Sequence, residues 1–339
     1  MGRVVSRRGL VLGGLAMVGA GLLTGVDVDE AWAVGSPPII TCDGWGSRQP
    51  RGNLGVYDKR PVKILVHHTA TPNVADTSRA AGIRLARSVQ NFHMNGRGWP
   101  DTGQHFTVSR GGIVLEGRHL SLLFARDGRK QVEGAHCTGQ NVVALGIENE
   151  GTYSSVNPPA VLWNRLRELC AYLCSQYKIA PTQIFGHRDF KDTACPGNRL
   201  YGALPRLRSE VAALLGQKLK KADVATWPLL QVGDEGARVR AAQYLLRDTG
   251  LTGVVPDGRF TPALADTVRT FQAAHGFLDD ETGQTTGMIG GEMWPALARP
   301  VRATEGGDAG KAVEVLLHGR RTESAPDVVT PDVWQRLLG

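Results

Sequence analysis

The chain has 339 residues, room for two or three domains and far too much for a lone mini-domain. Apolar residues make up 42% and charged residues 21%, the balance of a folded globular protein, and the 43 glycines follow no three-residue period, so disordered and collagen-like chains are excluded. Lys and Arg outnumber Asp and Glu by 39 to 32, a net charge of +7 that favours a polyanionic neighbourhood without choosing among cell wall, membrane surface and nucleic acid.

Residues 1–33 read as an export signal: Arg7 and Arg8 precede an apolar stretch from Leu10 to Leu23, and Ala31-Trp32-Ala33 offers a cleavage site. The paired arginines resemble the twin-arginine type, with Leu10 where Phe is common, and the Sec route stays open. Removing the segment takes away three arginines and three acids, so the remaining chain keeps its charge of +7. No other stretch approaches the ~20 apolar residues of a membrane span, so after signal removal a secreted protein with no membrane contact is expected. In that setting Cys42, Cys137, Cys170, Cys174 and Cys195 invite disulfides. Cys170 and Cys174, four apart on one helix face, are expected to bond to Cys42 or Cys137 in an order the sequence leaves open, with Cys195 held back.

Residues 63–67, KILVH, form a β-like run between Pro61 and the polar Thr69 to Pro72. The spacing of Ile83, Leu85, Ala86, Val89 and Phe92 predicts a helix over 78–94, stopped by Gly96, Gly98 and Pro100. A hairpin follows, His105 to Ser109 and Ile113 to Gly117, turning at Gly111-Gly112. Val142 to Asn149 is a buried strand. Leu162, Leu166, Leu169 and Leu173 make one stripe of a helix from Pro158-Pro159 to Tyr177, and Ile184 to His187 is a last strand. Strands alternating with helices predict an α/β domain, residues 34–216, followed by a polar linker, 217–226. The remainder holds an internal repeat: GDEGARVRAAQYLL (233–246) is echoed by GDAGKAVEVLL (307–317), and IGGEMWPALA (289–298) by VTPDVWQRLL (329–338). This predicts a helical domain over 227–299 and a degenerate second copy over 300–339.

His67 and His187 close two strands, and Cys195 lies in a loop shut by Pro196-Gly197. Two imidazoles and a thiolate leave a fourth tetrahedral position open, the layout of catalytic zinc. His68 rivals His67, but neighbours on a strand face opposite ways, so one of them at most joins the site. A zinc hydrolase also needs a proton-transfer group. Glu148, in the apolar strand LGIENEG, is the first candidate, with Glu150 on the same face and Glu116 on another strand as alternatives.

The stretches VHHTAT (66–71), NGRGWPDTGQHFTVSRGG (95–112), GAHCTGQNVVALGIENEG (134–151) and GHRDFKDTACPG (186–197) resemble, in order, the motifs of zinc-dependent N-acetylmuramoyl-L-alanine amidases, which share their fold with peptidoglycan recognition proteins. The resemblance covers about residues 40–215 and implies a central mixed β-sheet flanked by helices. It places one zinc ion on His67, His187 and Cys195 and the acid/base on Glu148. Recognition proteins and phage amidases carry a tyrosine where this chain has Gln104, whereas the recycling branch uses a glutamate at the position of Glu148. That branch has a lysine where Thr193 stands, and help in holding the oxyanion is expected from Thr193 or His136. His136 and Asn141 match a family His and Asn lining the cleft, and with His93 and Gln104 they are the substrate-binding candidates. Residues 227–298 resemble the small all-α peptidoglycan-binding domain of wall hydrolases. The expected protein is therefore a monomeric, cell-wall-associated amidase with peptidoglycan as its partner and no nucleic acid. The alternative is a recognition protein that keeps the groove without hydrolysis.

Overall fold

A computed structural model describes residues 34–222, 224–280, 282–302, 305–317 and 327–339. The expected export signal, residues 1–33, lies outside the described residues.

Strands Ile39–Ile40 (β1), Lys63–His68 (β2), Phe106–Val108 (β3), Val114–Glu116 (β4), Ala144–Asn149 (β5) and Ile184–Gly186 (β6) form a six-stranded sheet in the order β1-β4-β3-β5-β2-β6. β3 and β4 are the predicted antiparallel hairpin. All other neighbouring pairs are parallel, which makes the sheet mixed. Parallel neighbours need crossovers, and helices supply them: Arg79–Asn91 lies between β2 and β3, and Ala160–Tyr177 between β5 and β6. Ser78 starts the first, its hydroxyl accepting from Ala81 N at 3.1 Å. The α-helix ends at Asn91 and continues as a π-turn, Phe92–Gly96.

Both sheet faces are buried, and side chains alternate between them. Ile64 and Val66 of β2 and Leu145 and Ile147 of β5 face the large core, where they meet Leu162, Leu166, Leu169 and Leu173, the predicted leucine stripe, and helix Leu204–Leu214. Leu65 and Ala144 face the other way, against Cys137. Fully burying a leucine is worth about 1.5–3 kcal/mol, so this stripe is a principal stabiliser.

The expected disulfides do not form. Cys170 and Cys174 sit fully buried in the large core, Cys137 packs under Leu65, and Cys42 belongs to a separate cluster with Trp45, Ala86 and Leu115. These four thiols lie in three different places and fill space as small hydrophobes. Burial pushes the thiols of Cys137 and Cys170 well up from their ordinary value, keeping them protonated.

The C-terminal part is helical, with one small antiparallel pair, Val301–Arg302 with Val328–Val329. Helices Ala237–Asp248, Pro262–His275, Gly307–Leu317 and Pro331–Leu338 share a single core containing Val239, Leu245, Phe271, Val313, Trp294 and Trp334. The two repeat copies thus complete one core rather than two. Trp294 and Trp334 spend their indole N–H groups on backbone carbonyls, Pro228 at 2.6 Å and Arg299 at 2.8 Å.

The helical part docks on the loop that follows β6. Asp192, only 4% exposed, accepts from Gly290 N at 2.8 Å, Met293 N at 3.0 Å and Gln272 Nε2 at 3.0 Å. Beside it Lys191 Nζ lies 2.6 Å from Glu292 Oε1, and Gly291 N donates to Arg188 O at 3.1 Å.

Candidate metal centre

β2, β5 and β6 run the same way, so their carboxyl ends share one edge of the sheet, where open α/β sheets hold ligands. His67 lies at the end of β2 in register with Glu148 of β5, and His187 directly follows β6. The loop after His187 returns Cys195 to the same spot. Its sulfur lies 3.8 Å from His67 Nδ1 and accepts from His68 N at 3.3 Å. The His67 and His187 rings are 4.4 Å apart, and one donor atom from each of His67, His187 and Cys195 falls within 4.8 Å of the others. Glu148 Oε1 stands 3.8 Å from the same His67 Nδ1.

Alternation along the strand settles the choice between neighbours. His68 points into the opposite core, where its Nδ1 accepts from Tyr153 N at 3.2 Å. Burial, with the nearby Arg188 charge, pushes it down to about 4. Glu150 is taken up by Arg110 N at 2.7 Å, and Glu116 caps Cys42 N and Leu122 N at 3.0 and 2.9 Å. Glu148 alone of the three acids reaches the cluster.

Burial holds His67 well below the ordinary imidazole value, and the neighbouring His187 and His136 add to this. The ring is neutral at pH 7 and keeps a lone pair for a cation. Two buried imidazoles, a thiol and an adjacent cleft are the donor set of a zinc site with an open position, so the residues fit that ion.

The remaining expected residues divide between the cleft and its supports. His93 and Thr193 line a cleft of about 790 Å³ together with His67, Glu148, His187 and Cys195. Thr193 Oγ1 accepts from Cys195 N at 3.2 Å, so it shapes the loop that carries the thiol. His136 does not line this cleft. Its Nδ1 meets His67 Nε2 at 3.1 Å and its Nε2 lies 3.3 Å from Ala144 O, so it supports the His67 ring. Gly146 makes room for this arrangement, because a Cβ there would stand 2.5 Å from the His136 ring. Asn141 Oδ1 accepts from His136 N and Cys137 N, both at 2.9 Å, and the residue lines a second cavity beside Thr138 and Asp280. Gln104 is 1% exposed and donates to Thr107 Oγ1 at 2.8 Å, away from the cleft lining.

Sequence reasoning missed the other wall. Gln284, Thr285, Thr286 and Met288 of the helical part line the same cleft. Asp280, which lines a neighbouring cavity, brings its Oδ2 to 3.4 Å from His187 Nε2. Nothing in the spacing of the chain pairs a loop at 280 with a histidine at 187.

Fold and site together define a mixed α/β domain that carries a two-histidine, one-cysteine cluster with an adjacent carboxylate. The sequence profile described as N-acetylmuramoyl-L-alanine amidase matches residues 57–198, and that of a peptidoglycan binding domain matches residues 235–297. Peptidoglycan recognition protein 1 of Bos indicus is 34% identical over 165 residues, 48% of this chain and 80% of the relative. The N-acetylmuramoyl-L-alanine amidase of Homo sapiens is 28% identical over 174 residues, 50% of this chain and 28% of that protein. Among solved structures, Drosophila peptidoglycan recognition protein LB aligns with a TM-score of 0.44 at 27% identity, over 49% of this chain and 92% of its own. The chain belongs to the N-acetylmuramoyl-L-alanine amidase and peptidoglycan recognition protein family, with a peptidoglycan-binding domain following the α/β domain.

Proposed function

We propose that this protein is a secreted, zinc-dependent N-acetylmuramoyl-L-alanine amidase that cleaves the amide between the lactyl group of N-acetylmuramic acid and the first L-alanine of the stem peptide. The observation that carries this reading is the carboxylate of Glu148, 3.8 Å from the nitrogen of His67 that faces Cys195, within a cleft of about 790 Å³. A pure binding groove has no need of a buried acid at that point, whereas hydrolysis needs a proton acceptor beside the attacked carbonyl.

His67, His187 and Cys195 would hold the zinc ion, which when bound would supply Lewis-acid activation of water and of the scissile carbonyl. The protein's own residues do the rest. Glu148 takes a proton as the water oxygen bonds to the carbonyl carbon, and returns one to the alanine nitrogen as the C–N bond breaks. Its 8% exposure keeps bulk water from competing for that proton. His136 fixes the His67 ring, and Thr193 holds the Cys195 loop in place. The products are a free lactyl carboxylate and a peptide with a free amino terminus. Peptidoglycan attachment through the helical domain would raise the local concentration of bonds to cut, and the net charge of +7 suits an anionic wall.

Digestion of purified peptidoglycan in ¹⁸O-labelled water tests the chemistry. One labelled oxygen in the muramic acid carboxylate and none in the peptide is the expected pattern. Release of material whose muramoyl carboxylate carries no label would contradict it.

A further inference from the structure

The helical domain reaches one of the proposed metal ligands, His187. Asp280 is mostly buried, with a side chain 9% exposed, and its carboxylate is held from the α/β side by Thr138, through both the backbone N–H at 3.1 Å and the hydroxyl. Arg97 donates to the Asp280 carbonyl at 3.1 Å, anchoring the main chain of the loop as well. The same Oδ2 that accepts from Thr138 N lies 3.4 Å from His187 Nε2. Meanwhile Gly290, Met293 and Gln272 grip Asp192, midway along the loop between His187 and Cys195. Two independent contacts from one domain therefore bear on the geometry of a cluster that belongs to the other.

We propose that Asp280 is a positioning residue for His187. It accepts a hydrogen bond from Nε2–H, fixes the ring in that tautomer and leaves Nδ1 as the metal donor, so that the metal site is complete only when the helical domain is docked. This rests on the zinc reading above. The physical basis is general: a metal-bound imidazole commonly donates its other N–H to a carboxylate, which orients the ring and raises its basicity. His67 has an imidazole, His136, in the corresponding place. For His187 the partner comes from another domain.

Zinc affinity of the full chain, measured by equilibrium competition with a chromophoric chelator, tests this without reference to activity. Asp280→Asn should weaken zinc by roughly 10–100-fold. Arg269→Ala, which removes an exposed ion pair with Asp266 in the same helical domain, should stay within about twofold of wild type. Equal affinity in wild type and Asp280→Asn overturns the proposal. A wild-type chain that takes up no zinc overturns the metal reading and this proposal with it, a different result from the first. Should Asp280→Asn fail to fold, the side-chain ¹⁵N spectrum of His187 in the zinc-free wild type decides. The Nε2–H tautomer is expected, and the Nδ1–H tautomer would overturn the assignment.

Discussion

At the scale of single residues the site is a matter of which atoms are already occupied. His67 commits Nε2 to His136 and turns Nδ1 to the cleft, while His68, one residue on, serves the opposite core. Strand ends and a Pro-Gly loop made His67, His187, Cys195 and Glu148 candidates among several, the resemblance singled them out, and the structure brings the four side chains together. The roles of His136 and Asn141 were not legible, because a motif records that a residue is present without recording which way it faces. Buried histidines also set a pH dependence. His105 is fully buried between Val132 O and Gly146 N, both at 3.0 Å, and burial pushes it down to about 4. The unfolded chain takes up that proton near pH 6.5 and the folded chain only near 4, so stability falls as pH drops through this window. The loss amounts to about 3 kcal/mol by the lower limit. Chemical denaturation at pH 7 and pH 4.5 should therefore show a smaller pH-linked loss in His105→Gln than in wild type, even though the variant starts out less stable. Equal losses would contradict the assignment.

At the scale of elements, most long periodic segments were readable and short ones were not, and helix Leu204–Leu214 went unread despite its eleven residues. The strands that carry the site and the leucine-striped helix are where the hydrophobic pattern puts them. Ile39–Ile40, two residues long, and helix Ser121–Asp127 were missed, since neither is long enough for a period to show. The predicted helix over 78–94 ends as an α-helix at Asn91 and runs on as a π-turn over Phe92–Gly96, a change of pitch that apolar spacing does not register. The tail shows the same limit. Its repeat was visible, yet the shorter copy read as a worn appendage, whereas Trp334 is fully buried in the common core. Trp334→Ala should cost about 3–5 kcal/mol and lower the melting temperature of the helical part by many degrees. A neutral effect in a thermal melt would mean that the second copy is dispensable.

At the scale of the whole molecule, the structure unites two domains that the sequence presents as beads on a linker. Docking depends on close backbone approach: a Cβ on Gly291 would overlap the Asp189 carbonyl, just beyond His187. Gly291→Ala should separate the domains, giving two calorimetric transitions where wild type gives one and faster proteolysis in the 217–226 stretch. A single unchanged transition would show that the contact carries little coupling. Such contacts escape sequence reading because interdomain surfaces have no periodicity and depend on a few glycines and acids far apart in the chain. The central claim, that this cleft hydrolyses the muramoyl–alanine bond instead of only binding it, is tested most directly by mass spectrometry of what the full chain releases from purified peptidoglycan, compared with Glu148→Gln. Free stem peptides beginning with L-alanine are expected from wild type, with release roughly 10²–10⁴-fold slower in the variant while wall binding persists. Wild-type protein that sediments with the wall and releases no peptide would contradict the account and leave a recognition protein.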